Sequence, residues 1–352
     1  MSDETWTISP TLIGLLEHYS PSGGEETAVA WLVERMSALG YDRAYHDAAG
    51  NAVGVMGDGP RQLILLGHID TVRGKIPVRV EGERLYGRGA VDAKGPLSAF
   101  VDAAAAVGPQ AGWQVIVIGA VDEEVDSAGA RCAAGQYKPE YAIIGEPSRW
   151  DRITVGYKGS ARAEIHVQKS QAHSAGPGEN ACEAAVGVWQ AVRGWVDGFN
   201  QDKERAFDQV QPSLLGMDSG GDGFTEWARL KVGARLPVGF PPVAWYRQLS
   251  ELAGEAEAVP QGFAVPAFKV EKNSAPVRAF LAAIRAVGGS PGFVLKTGTA
   301  DLNIVAPAWG CPAVAYGPGD SRLDHTPDEH ISLGEYARAV AVLKVVVRGL
   351  IG

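Results

Sequence analysis

Cysteine is scarce in this chain, with only Cys132, Cys182 and Cys311 in 352 residues. An odd number, widely spaced and without a CxxC pair, offers neither a disulfide framework nor a thiolate zinc site. The three read as reduced side chains in or near the core. Positive charge is short as well: 32 Lys and Arg face 41 Asp and Glu, a net charge of -9, which argues against a generally nucleic-acid-binding surface. No stretch approaches the roughly 18–20 apolar residues of a membrane span, and MSDETWTISPTLIGLL shows no basic leader before a long apolar run. The expectation is an unexported, cytoplasmic chain with no membrane and no nucleic acid among its partners. The Gly-rich GMDSGGDGF, residues 216–224, lacks the Lys-Ser/Thr ending of a P-loop and the spacing of a dinucleotide fingerprint. It reads as a flexible loop.

What the chain does have is apolar content, 46% over 352 residues, more than one core usually organises. Apolar runs of strand length, RQLILLGH, GWQVIVIGA, EYAIIGEP and CPAVAYGP, alternate with helical patterns such as EETAVAWLVERMSALG and KGPLSAFVDAAAAVG. That alternation predicts an α/β fold with a mostly parallel buried sheet. From about residue 157, ARAEIHVQ and FTEWARLKVGARLP instead alternate apolar and polar positions, as half-exposed antiparallel strands do, around the helical ENACEAAVGVWQAVRGWV. The expected organisation is a catalytic domain over 1–156 and 269–352, interrupted by an α+β lid or dimerisation domain over 157–268.

Parallel sheets gather chemistry at the carboxyl ends of their strands. His68 and Asp70 in LLGHIDTV, Asp92 in GRGAVDAKG, Glu123 and Glu124 in VDEEVDSAG, Glu146 in IIGEPS and His325 in DSRLDHTPDEH are all read as falling at such ends. Alone, the acidic run could be a solvated turn or a helix start. Five convergent sites favour a metal centre, and their imidazole and carboxylate donors suit Zn2+, Co2+ or Mn2+. A carboxylate shared by two cations offsets their repulsion, which makes Asp92 the natural bridge. A second acid must then move the proton of an attacking water. Successive strand side chains point to opposite faces, so Glu123 and Glu124 can serve one centre only if the backbone turns there.

These motifs resemble those of the M20 metallopeptidases and amidohydrolases. GHIDTV, GRGAVDAKG, DEEVDSAGA, GEPS, AHSAGPGENA and DHTPDE stand in that family's order over nearly the whole chain. The resemblance implies that His68 and Glu146 bind one divalent ion and Glu124 and His325 the other, with Asp92 bridging. It makes Glu123 the general base and Asp70 the carboxylate that fixes the tautomer of His68. Zn2+ is the expected ion, with Co2+ the alternative. His173 would help hold the developing oxyanion, contributed by the neighbouring subunit in dimeric members. Arg235 in VGARLPVGF would grip a substrate carboxylate. Asn180 would either bind substrate or cap the helix beside it. The segment KTGTADLN, 296–303, aligns with one that lines the substrate site, which makes Lys296, Thr297 and Asp301 candidates to read polar ends of the substrate. His18, His46, His166 and His330 lack motif context and read as structural. Two departures, Arg73 in place of the usual proline and Pro96 after Gly95, touch no expected ligand.

Within the family, the resemblance points to members that release lysine, or ornithine, from the C-terminal glutamate of an acidic amino-group carrier protein. An acidic partner calls for a basic patch. Arg73, Lys75, Arg79, Arg84 and Arg88 could supply it, or could equally be solvated charges round a hairpin. The alternative is a deacylase of free N-acetylornithine or succinyl-diaminopimelate. A binding module without turnover would show damage at a ligand or at the base, and none is visible. The resemblance also implies a homodimer or higher homo-oligomer.

Overall fold

The structure, a computed structural model, describes residues 6–173 and 176–352. Ser174 and Ala175 of the AHSAGPGENA motif lie outside the described residues. The chain divides into two compact units: one runs up to Val155 and resumes over Val270–Val294 and Ala300–Gly352, the other comprises Gly156–Lys269 and Leu295–Thr299.

The first unit opens with α1 (Pro10–Glu17), where the Ser9 hydroxyl caps the free N–H groups of Thr11 and Leu12, and α2 (Glu26–Ala38). Then come β1 (Arg43–His46), β2 (Ala52–Met56), β3 (Arg61–His68) and a short hairpin of β4 (Arg79–Glu81) and β5 (Arg84–Tyr86). After these follow α3 (Lys94–Val107), β6 (Trp113–Ala120), α4 (Ala128–Gln136), β7 (Tyr141–Gly145) and β8 (Arg152–Tyr157), which leads into the second unit. Leu63, Ile64, Leu65 and Leu66 of β3 have no exposed surface, as expected of a strand covered on both faces. The sheet order is β1-β2-β6-β3-β7, continuing through β15 (Ala313–Ala315) to β8, with β6, β3, β7 and β15 all parallel. The fold is therefore α/β with a mixed, largely parallel main sheet.

Gly119 and Gly67, each one residue before the end of its strand, and Gly145, the last residue of β7, lie side by side across β6, β3 and β7. A Cβ on Gly67 would meet the Leu97 Cβ at 3.3 Å, and one on Gly145 would meet the Phe100 ring at 2.9 Å. Missing side chains thus let α3 lie close on the strand ends.

The second unit is a four-stranded antiparallel sheet of order β10-β11-β9-β12, built from β9 (Gly159–Ser170), β10 (Gln211–Gly221), β11 (Thr225–Leu236) and β12 (Glu257–Val265). Along β9, Ala161, Ala163, Ile165 and Val167 are buried while Arg162 is exposed between them, the two-residue period of a sheet with one covered face. That face packs with α5 (Ala181–Asn200) and α6 (Pro242–Ala253) around Val192, Leu230, Val232, Trp245 and Leu249. The Gly-rich stretch is not a loop: Met217–Gly221 pair with Leu230–Glu226 as the end of β10, and only the turn beyond it is free of the ladder. After β13 (Phe268–Lys269), the chain adds α7 (Ala275–Ala286), β14 (Gly292–Lys296), α8 (Leu302–Trp309), β15, β16 (His330–Ser332) and α9 (Leu333–Ile351). Among the described residues no helix is long and apolar enough to cross a membrane.

Candidate metal centre

Three adjacent parallel strands end together. His68 closes β3 in register with Ala120, the last residue of β6, and Gly67 pairs Gly145, the last residue of β7, so Glu146 follows beside His68. His68 therefore stands between Glu146 and the Asp122–Glu124 turn. Two of the expected strand-end groups are not at strand ends. Asp92 sits in the turn that enters α3, after a detour through the β4–β5 hairpin, and His325 lies ten residues past the end of β15, in the turn that precedes β16.

The acidic turn breaks out of the sheet by left-handed backbone at Asp122 (φ 66°) and Ser127 (φ 51°), conformations that non-glycine residues adopt rarely and mostly where function demands them. Its base is tied by Asn51, whose side-chain oxygen accepts from Val121 N at 3.0 Å and whose amide donates to Gly129 O at 3.1 Å. Its tip is held by Asp70. That fully buried carboxylate accepts from Glu123 N at 3.0 Å, Glu124 N at 3.2 Å and the Ser22 hydroxyl at 2.7 Å. Because one carboxylate takes both N–H groups, the strand alternation is suspended. Asp70 was expected to fix the imidazole of His68. His68 Nδ1 lies 3.4 Å from the Asp70 carboxylate and 3.0 Å from the Asp70 backbone oxygen, so both groups of that residue face the ring.

Asp92 presents one oxygen to each imidazole: Oδ1 lies 3.2 Å from His68 Nε2 and Oδ2 lies 3.0 Å from His325 Nε2. His325, itself left-handed at φ 62°, also meets Glu124 Oε1 at 3.0 Å. Ligand atoms of His68, Asp92 and Glu124 all fall within 4.8 Å of one another. The electrostatics agree with a cation site. Asp92 and Glu124 push His325 up to about 10. Burial alone would depress His68, but Asp70 and Asp92 carry it well above the usual imidazole value. Burial drives Glu123 well above the carboxylate range, helped by Glu146, Asp301 and Glu124 against the pull of His68. Mixed imidazole and carboxylate donors, with one carboxylate facing both sides, fit a pair of divalent ions.

Sequence reasoning missed Arg88 and Glu329 as parts of this centre. Both are buried, and they pair at 2.8 Å. The sequence hints were the places of Arg88 in GRGAVDAKG and of Glu329 in DHTPDE. Arg88 consequently leaves the expected basic patch, and Arg79 is paired with Glu81 at 2.7 Å, so Arg73, Lys75 and Arg84 remain. Asp301 does not line a surface: it is buried, with Oδ1 lacking a hydrogen-bond partner among the described residues, and burial pushes it up to about 6.

The other expected residues belong to the second unit. Arg235 is exposed on β11, and its guanidinium donates to the Thr299 hydroxyl at 2.5 Å. Lys296 is half-buried and Thr297 exposed in the returning segment. His173 is exposed. Asn180 caps α5: its oxygen accepts from Glu183 N at 2.9 Å, and the Glu183 carboxylate accepts from Asn180 N at 3.0 Å, a capping box.

The family model for peptidase family M20/M25/M40 matches residues 64–349, a span that holds every residue of the centre. The chain belongs to the M20 peptidase family. It is an M20 metallohydrolase acting on amide bonds. Among curated M20 relatives, the [LysW]-lysine hydrolase of Deinococcus radiodurans is 45% identical over 95% of this chain and 94% of its own length. The [LysW]-lysine/[LysW]-ornithine hydrolase of Saccharolobus solfataricus is 28% identical over 96% and 94%. Of solved structures, the aminopeptidase PepT of Bacillus cereus superposes with a TM-score of 0.78 at 17% identity, covering 97% of each chain. The M20 metallo-carboxypeptidase Sso-CP2 of Sulfolobus solfataricus gives 0.75 at 20%, covering 96% and 98%.

Proposed function

We propose that this M20 enzyme releases lysine, ornithine or both from the C-terminal glutamate of a LysW-type carrier protein. The observation that carries the reading is the near full-length similarity to a [LysW]-lysine hydrolase, joined to a centre in which His68, Asp92, Glu124 and His325 stand together.

His68 and Glu146 would hold one divalent ion and Glu124 and His325 the other, with Asp92 between them and Zn2+ the first choice of metal. Ions held there supply Lewis acidity toward the amide carbonyl and lower the pKa of water. The chain's own part is proton transfer and charge placement. Glu123, whose carboxyl burial raises well above the usual range, takes the proton of the attacking water and delivers it to the leaving nitrogen. Asp70 keeps Glu123 and Glu124 on one side by holding their N–H groups. His173 is assigned to the oxyanion on its motif, and Arg235, Lys296 and Thr297 to the polar ends of the substrate. Asp301 and Asn180 are not carried forward as substrate contacts.

Offering the purified enzyme the carrier–lysine conjugate, N-acetylornithine and succinyl-diaminopimelate side by side tests the reading; turnover confined to a small acyl amino acid would sink it. In the same assay Arg235→Ala is expected to raise KM for the conjugate about tenfold or more, as loss of a charge-assisted hydrogen bond does, with kcat little changed.

Dimerisation belongs to the same reading. The edge strand β10 carries exposed Leu214, Leu215 and Met217, an apolar edge of the kind proteins usually cover. A solution mass of one 37.0 kDa chain would remove it. A cytoplasmic location is proposed with it, supported by three cysteines that form no disulfide and checked by cell fractionation.

A further inference from the structure

Arg88 and Glu329 are 241 positions apart in the chain and meet in the core of the metal-bearing unit. The two oxygens of Glu329 take four N–H donors. Oε2 accepts from Arg88 Nη1 at 2.8 Å and Gly89 N at 3.1 Å, and Oε1 accepts from Val91 N at 2.9 Å and Asp92 N at 3.0 Å. The Arg88 fork reaches further: Nε donates to Gly74 O at 2.9 Å and Nη1 to Thr326 O at 3.2 Å. One ion pair therefore grips the backbone of the turn that presents Asp92 and the backbone next to His325.

None of these bonds serves a helix or a sheet. A buried carboxylate with all its acceptor sites filled by N–H groups holds those groups in fixed directions, and here they lead straight to the Asp92 side chain. The spacing that results is the 3.0 Å approach of Asp92 Oδ2 to His325 Nε2.

We propose that Arg88 and Glu329 are positioning residues for the metal centre: together they set the separation and direction of Asp92 and His325, and so the affinity for the ions. The inference rests on the reading of Asp92 and His325 as ligands. That reading would fail in the parent enzyme, by lack of metal binding, whereas this one fails only in variants.

In Glu329→Gln an amide NH2 must face N–H donors that an oxygen faced before, so the turn has to shift. Zn2+ affinity, measured by equilibrium competition with a chelator in the full-length protein, is expected to fall about 10–100-fold, while kcat at saturating metal returns toward the parent value. Arg88→Lys keeps the charge opposite Glu329 and loses the fork to Gly74 and Thr326. It is expected to weaken affinity in the same direction and stands as the decisive variant if Glu329→Gln does not fold. Asp102→Asn is the comparator, because the Asp102 carboxylate is held by Ser9, Thr11 and Tyr336 and its loss lowers stability without touching these turns. Zn2+ affinity within about twofold of the parent in both site variants overturns the proposal. So does an equal loss of affinity in Asp102→Asn at matched melting temperature, since that would be general destabilisation.

Discussion

Replacing Glu123 by Gln is expected to lower kcat by on the order of 10²–10⁴-fold, the usual worth of a positioned acid–base group, with KM and bound metal close to the parent values. The substitution is nearly isosteric. The backbone N–H of residue 123 stays on Asp70 Oδ1, and Glu124 keeps its own bond to the same carboxylate, so the turn is preserved. What is lost is the one property the environment has built up: a carboxyl raised by burial and by Glu146, Asp301 and Glu124, able to take a proton from water and hand it on. An amide cannot do so. Steady-state kinetics with metal content measured on the same sample checks this. A fall of less than about tenfold at unchanged metal content would assign the proton to another group.

The second large effect is expected at Asp92. Its two oxygens face two imidazoles, and an asparagine there offers one acceptor where two are needed. Asp92→Asn should retain at most one ion after dialysis and lose nearly all turnover, as chelation of the parent should too. Stability should move in the same direction. Despite burial, His325 and His68 hold the Asp92 carboxyl well below the usual range, so in the stripped enzyme its charge contributes to stability. The stripped parent should melt below its metal-loaded form, by the free energy of binding, and stripped Asp92→Asn lower still. Two ions and parent-like turnover in Asp92→Asn would overturn the bridging role.

The parts of the centre that the sequence made legible follow from one physical regularity. A parallel strand covered on both faces must be a continuous apolar run, so RQLILLGH, GWQVIVIGA and EYAIIGEP stood out, and polar residues just after them had to emerge at one sheet edge. His68, Glu123, Glu124 and Glu146 were visible for that reason. Asp92 and His325 were visible only as motifs, because they arrive on turns whose paths no periodicity encodes. Arg88 and Glu329 stood in the motifs, but their part was not legible: besides each other, their partners are backbone N–H and C=O groups, which every residue has, brought together across most of the chain's length. The same blindness hid the second duty of Asp70, whose carboxylate, beside the neighbouring imidazole, serves two backbone N–H groups. At GMDSGGDGF, composition suggested a loop, and pairing with β11 overrode it.

The order of the chain imposes a schedule on how this centre can come into being. Four of its donors are synthesised within the first 146 residues, but His325 and Glu329 follow only after the whole second unit, which carries a hydrophobic core of its own. Domains generally fold as units, in the order in which they leave the ribosome. During translation, then, the first unit stays incomplete, still lacking β15, α9 and His325. Only the last few dozen residues close it, so the centre is completed at the end of synthesis, on a molecule whose inserted unit has already had time to fold.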